Sequence, residues 1–205
     1  MVACGPGSFE LEQISEWNTT GLRGTCSAGF RVTIDERDDM IFPTPWATIG
    51  AQCIGATTIL LSSVWLGIAE AAASRAHAYV RADARRKVGV TPASAPLLAE
   101  LAVTLGEARG VMESAVSRYE AAVGTEGMDA ASLLLTVRNL KLSSTTLAID
   151  IVMKASLICG LAGYKRDSNF SMDRNLRDVL GGPLMANNTR AAGDGALLLL
   201  AMKQM

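Results

Sequence analysis

The sequence predicts a mainly α protein: a four-helix bundle preceded by a short β segment. Three observations carry this. From Trp46 onward, long segments repeat apolar residues at three- and four-residue spacings, the period of a helix with a buried face. Proline and glycine clusters mark the joints: Pro43 with Pro45, Gly89 with Pro92, Gly124 with Gly127, Gly160 with Gly163, and Gly181-Gly182-Pro183. Before Pro43 the pattern changes to alternation of apolar and polar residues, which is strand period.

Taken in order, Phe9-Glu10-Leu11-Glu12 and Phe30 to Asp35 alternate as half-buried strands, joined by a glycine-rich connector, Trp17 to Ser27. Asp35 to Asp39 is a solvated charge run, and a domain boundary is expected near residue 44. Helix one is expected from Trp46 to Lys87. Its first half is apolar all round, so packing on several sides is expected there. In its second half Val64, Ile68, Ala71, Arg75 and Tyr79 share a face. Helix two follows Ser94 as a cap, with Pro96 in its first turn. Leu98, Leu101, Leu105, Ala108, Met112, Ala115, Tyr119 and Ala122 give it a continuous seam. Helix three is expected to start at Asp129. Its apolar face runs through Leu133, Val137, Leu140, Leu147, Ile151 and Ile158, and Asp150 is spaced to pair with Lys154. A short helix from Met172 to Leu180 and a last one from Leu184 to Lys203 complete the set.

Composition narrows the function. The chain of 205 residues is 49% apolar and 19% charged with a formal net charge of −1, which gives nucleic acid nothing to bind electrostatically. Aromatics make up only 5%, too few for base-stacking platforms. The four cysteines, at 4, 26, 53 and 159, form no CxxC pair, which argues against a zinc site or redox dithiol and for reduced thiols in the cytoplasm. The N-terminus lacks the basic and apolar blocks of a signal peptide. Met40 to Ala69 is free of formal charge and long enough to span a bilayer, but Gln52, Thr57, Thr58, Ser62 and Ser63 dilute it, so a buried bundle helix and no membrane contact are expected.

Catalytic motifs are sparse. His77 is the single histidine and has no nucleophile or carboxylate at a readable spacing, so it reads as a surface or interface residue. No HExxH, P-loop or GxSxG occurs, and no ExxH pair supports a di-iron site, so no metal is expected. What stands out is one stretch, Cys159 to Asn188 (CGLAGYKRDSNFSMDRNLRDVLGGPLMANN). It holds a glycine-punctuated helix end, an Arg/Asp turn, a Gly-Gly-Pro break and an Asn-rich corner.

This stretch resembles the C-terminal signature of the acyl-CoA dehydrogenase family. Gly160, Gly163 and Tyr164 match its "GGxGY" turn, and Asp173, Arg174, Arg177 and Asp178 match its "ERLYRD" segment. The connector resembles the last strands of the family's flavin-binding middle domain, through Trp17, Gly21, Arg23, Gly24, Thr25, Ser27 and Phe30. The resemblance implies two regions. Residues 1–44 would be a remnant of the middle β domain, and residues 45–205 the C-terminal helical bundle domain. It implies an FAD-dependent oxidoreductase of fatty acid metabolism that takes an acyl-CoA-like substrate. It also implies a homo- or hetero-oligomer formed through the bundle, with the FAD adenosine reaching a neighbouring subunit. Cofactor contacts would fall on Arg85, Arg86, Gly160, Gly163 and Asn188. The family's catalytic glutamate would fall at Ala186, or at Thr57 for members that carry it on the first helix, so neither base position is acidic. Leu157 replaces the glutamine before the glycine turn. The family's front half is missing, so a fragment or subunit, inactive as an isolated chain, is expected. Two alternatives stay open: a flavin monooxygenase-type relative, which needs no such glutamate, and a non-catalytic assembly subunit.

Overall fold

The computed structural model describes residues 1–125, 127 and 131–202, with Ala47, Ala51 and Gln52 described by backbone alone. Two antiparallel strands, β1 (Phe9–Ser15) and β2 (Gly29–Ile34), precede seven helices: α1 (Trp46–Arg86), α2 (Ala95–Ala122), α3 (Ala131–Cys159), α4 (Leu161–Tyr164), α5 (Asp173–Val179), α6 (Gly181–Leu184) and α7 (Asn188–Ala201). The mainly α bundle with a short β segment is therefore the fold. The expected starts at Asp129 and end at Lys203 lie outside the described residues.

The core lies along the α1–α3 seam. Ala69, Ala72, Ala73 and Ala76 of α1 are buried in one cluster with Ala148, Ile151, Val152 and Ala155 of α3. Each buried methyl contributes modestly, but small side chains let the two backbones approach closely. α2 closes the bundle through Leu101, Ala108, Met112 and Ala115, four of the eight predicted seam residues. Gly55 is a packing requirement: a Cβ there would stand 2.4 Å from the ring of Tyr119. Asp150 and Lys154 pair at 2.7 Å as expected, and Lys154 also donates to Thr104 of α2 at 2.9 Å, so the pair ties two helices.

Four expectations need correction. α1 is not packed on several sides in its first half: Gly55, Ser62, Trp65 and Ala69 form one buried stripe, while Leu60 and Val64 of the opposite faces are exposed. The strands are not half-buried either. The register Phe9↔Ile34, Leu11↔Val32 and Gln13↔Phe30 gathers five apolar side chains on one face, and all five are exposed. Alternation marked the apolar face of the sheet, but nothing among the described residues covers it. Ser94 does not cap α2 with its side chain, because its own backbone is already helical (φ −83°, ψ −3°). The Gly-Gly-Pro segment is not a break. It is itself the helical turn α6, and the last helix starts at Asn188 rather than Leu184.

Two stretches, Cys53–Arg86 and Ala131–Cys159, are long and apolar enough to cross a membrane; both are the principal bundle helices.

Cysteine exposure provides a test. Cys4, Cys26 and Cys53 are exposed, whereas Cys159 is fully buried and burial pushes its thiol up to about 11, against a smaller opposite pull from Arg75. In the native chain, three thiols should react readily with a disulfide reagent and the fourth only after denaturation. A count of four rapid equivalents would contradict this packing.

Candidate functional site

The site is built where α3 meets the end of the chain. Thr145 and Lys141 sit one turn apart on α3, facing the α6–α7 junction. α6 is pressed onto this surface. A Cβ on Gly182 would meet Thr145 at 3.1 Å and Trp65 at 3.5 Å, and one on Gly181 would meet Leu22 at 2.5 Å. Only glycines let this turn lie so close to α1 and α3.

The chain then changes direction. Ala186 (φ 56°) and Asn187 (φ 39°) are two consecutive non-glycine residues with positive φ, a conformation that costs an L-residue about 1–2 kcal/mol. Asn187 recovers part of this as the N-cap of α7: its Oδ1 accepts from the backbone N–H of Thr189 (2.9 Å) and of Arg190 (3.4 Å). α7 is fastened back to α3 by an Arg138–Asp194 ion pair at 3.0 Å.

Beneath the corner lies a buried polar network that sequence reasoning missed. Lys141 Nζ donates to the Gly182 carbonyl (2.7 Å) and to Asn188 Oδ1 (2.9 Å). Asn188 Nδ2 donates to Thr145 Oγ1 (3.0 Å), whose hydroxyl donates to the Lys141 carbonyl (2.9 Å). Ser144 donates to Ser62 of α1 at 3.1 Å. Lys141 is only 4% exposed, and burial lowers its pKa from the usual lysine value. Its sequence signal was its place on the buried α3 stripe with Val137, Ser144, Ala148 and Ile151. A lysine on such a stripe needs acceptors brought to it.

The Arg/Asp turn proves to be scaffold. Arg177 pairs with Asp173 at 2.9 Å and Arg174 with Asp178 at 3.7 Å, each one helical turn apart. Asp178 Oδ1 accepts the Leu22 backbone N–H at 2.7 Å, docking the N-terminal connector. A Cβ on Gly21 would lie 2.1 Å from the Arg177 carbonyl oxygen, which explains that glycine. The buried Asn175 donates to the Ile68 carbonyl at 3.0 Å and accepts from Arg75.

The candidate residues separate into two groups. Ala186 and Asn188 belong to the corner; Ala186 is exposed, while the Asn188 amide is turned inward. Thr57 is exposed on α1, two turns before Trp65. Arg85 and Arg86 are exposed at the C-terminal end of α1, Arg86 against Asp83 at 3.3 Å. They lie 20 or more residues beyond Trp65, or about 30 Å along the helix. Gly160 and Gly163 lie at the far end of α3, a similar distance from Lys141. Gly160 ends the helix at φ 54°, and Gly163 packs where a Cβ would stand 2.8 Å from that of Cys159. No cluster of His, Cys, Asp and Glu suited to a metal occurs among the described residues. The corner's hydrogen-bond network contains no carboxylate. What it can do is present a fixed backbone, not remove a proton.

Residues 47–186 match the family described as Acyl-CoA dehydrogenase, C-terminal domain. No curated protein matches the sequence. Among solved structures, KijD3 in complex with dTDP is 22% identical, with a TM-score of 0.75 over 96% of this chain and 51% of its own. Nitroalkane oxidase crystallized with 1-nitrohexane is 19% identical, with a TM-score of 0.78 over 97% and 46%. TdsC from Paenibacillus sp. A11-2, with FMN and indole, is 20% identical, with a TM-score of 0.74 over 97% and 54%. KijD3 has also been solved with FMN, and nitroalkane oxidase is described as a flavoprotein. The chain spans about half the length of these structures.

The corner yields a paired prediction. Asn187→Ala should lose about 1 kcal/mol or more of stability, because it removes the cap and keeps the positive φ. Asn187→Gly should lose only a few tenths, because glycine tolerates both. Urea unfolding of the two variants checks the order; equal losses would show that the cap is not what holds the corner.

Proposed function

Because the chain belongs to the acyl-CoA dehydrogenase family through its C-terminal domain, we propose that it forms the helical wall of a flavin site in an oxidoreductase that needs no carboxylate base from this wall. On this reading it is a flavin monooxygenase-type relative rather than an α,β-dehydrogenase. The observation that carries it is Ala186, a methyl group in a left-handed backbone, at the position to which the resemblance assigns the glutamate. Beneath the corner a buried ammonium and an amide bond each other and the backbone, with no anion in their network, so the wall offers a supported main chain free of carboxylate. When bound, the flavin supplies the electron-transfer chemistry. The chain's own residues shape the wall, hold the Ala186–Asn188 turn rigid and keep negative charge away.

We take the flavin to be FAD. Arg85, Arg86, Gly160 and Gly163 lie about 30 Å along the helices from the corner, so one copy does not use both groups on one cofactor. A dinucleotide held by the corner of one copy and the arginine end of its neighbour uses both, in a homo- or hetero-oligomer. FMN would leave the arginine end idle. The free thiols Cys4, Cys26, Cys53 and Cys159 suit a reducing cytoplasm.

A second reading, a non-catalytic assembly subunit, draws on one observation. Leu157, Leu161 and Tyr164 form an exposed apolar strip at the end of α3 and on α4.

Flavin titration separates the two. FAD and FMN are titrated into the chain alone and into the chain co-expressed with the product of the adjacent upstream gene, with flavin fluorescence as readout. Saturable binding, tighter for FAD, is expected in at least the second arm. An oligomer that takes up neither flavin in either arm would overturn the flavin reading in favour of the assembly subunit.

A further outcome concerns the missing base. Acyl-CoA added without oxygen to the flavin-loaded protein should leave the 450-nm-region absorbance unchanged. Ala186→Glu should allow slow bleaching, because glutamate takes this backbone at about the same 1–2 kcal/mol as alanine. Rapid bleaching of the unsubstituted protein would rule out the base-free assignment.

A further inference from the structure

We infer that Lys141 is a positioning residue whose buried ammonium clamps the Ala186–Asn188 corner in its flavin-facing form. The inference rests on the reading that this corner faces a flavin.

Lys141 has an unusual environment. It is the single charged side chain in the buried set, and no ion pair is found for it among the described residues. Lys154 on the same helix provides the contrast: its side chain is 30% exposed and meets the Asp150 carboxylate at 2.7 Å. Lys141 meets only neutral acceptors, a carbonyl and an amide. Burying an ammonium without an anion is costly, and a methionine of similar length would fill the space without that cost. Packing alone therefore does not account for it.

The acceptors show what it does. Gly182 O lies before the two positive-φ residues and Asn188 Oδ1 lies directly after them. One ammonium thus grips both ends of the segment 183–187 and opposes its relaxation. It also sets the direction of the network. An ammonium only donates, so the amide of Asn188 must turn its oxygen to Lys141 and its NH2 to Thr145. Thr145 then donates onward to the α3 backbone. A neutral side chain at 141 leaves Gly182 O and Asn188 Oδ1 without a donor and frees the amide to reverse.

Hydrogen exchange on the full chain reads the clamp directly. The reporters are three amides of the corner: Met185 to Gly181 O, Asn187 to Leu184 O and Ala191 to Asn187 O. In Lys141→Met they should exchange about tenfold faster or more, with α1 and α2 amides unchanged. Lys141→Arg, which keeps charge and donors, should retain their protection. FAD affinity should follow: about tenfold weaker in the Met variant and close to unchanged in the Arg variant. Unchanged corner exchange in Lys141→Met overturns the clamp. A loosened corner with unaltered FAD affinity overturns its positioning role while leaving the flavin site standing. If the unsubstituted protein binds no flavin, the functional reading fails, and the exchange arm still judges the clamp. Should circular dichroism show that Lys141→Met does not fold, Asn188→Ala removes one of the two acceptors together with the amide donor to Thr145, and unchanged exchange at the three amides then refutes the proposal.

Discussion

The close approach of α1 and α3 is the constraint from which the rest of the structure follows. It is made by alanines: Ala69, Ala72, Ala73 and Ala76 on one helix, and Ala148 and Ala155 on the other. Side chains this small let two helices pack at the near end of the usual range of about 8–10 Å. Where the alanine run ends toward the N-terminus of α1, Trp65 fills the widening space, and it is only 1% exposed. The indole then lies beside α6, where a Cβ on Gly182 would crowd Thr145 at 3.1 Å and one on Gly181 would drive into Leu22 at 2.5 Å. α6 in turn brings a carbonyl to Lys141 and fixes where α7 starts.

Much of this was legible in the sequence. Periodicity gave α1 to within one residue, and α2, the C-terminal end of α3 and the α5 turn nearly as closely, because long apolar stripes with glycine or proline ends have one physical solution. The resemblance of residues Cys159 to Asn188 led to the same family as the match over residues 47–186. What did not read through were features that depend on long-range contact. Gly181-Gly182-Pro183 has the composition of a breaker, yet tertiary contact with Trp65 and Thr145 makes it helical. Ser94 has the identity of a cap but not the backbone for one. Lys141 stands on the apolar stripe of α3, but its partners stand 41 and 47 positions away, beyond any local pattern.

The family signature also divides in a way that motif matching conceals. Arg174, Arg177, Asp173 and Asp178 would be tempting as ligands in isolation. In the fold they neutralise one another across single helical turns, and Asp178 spends an oxygen on the Leu22 amide. Their work is to hold the connector against the bundle. Asn188 changes role similarly: expected as a flavin contact, it spends both ends of its side chain on Lys141 and Thr145. What it offers outward is backbone. The outward surface of the corner is therefore set largely by main-chain geometry, which tolerates drift in side-chain identity so long as the supports beneath it remain.

The left-handed backbone at Ala186 also bears on how this protein changes over generations. An alanine codon is one nucleotide from glycine, and for some alanine codons also one from glutamate. The two steps are unequal. Glycine relieves a backbone penalty of about 1–2 kcal/mol, whereas glutamate keeps it. Purifying selection on folding alone thus favours the neighbour that moves further from an acidic side chain. A lineage that has once placed alanine at this turn descends more readily toward glycine than back toward a carboxylate, a ratchet built from backbone torsion.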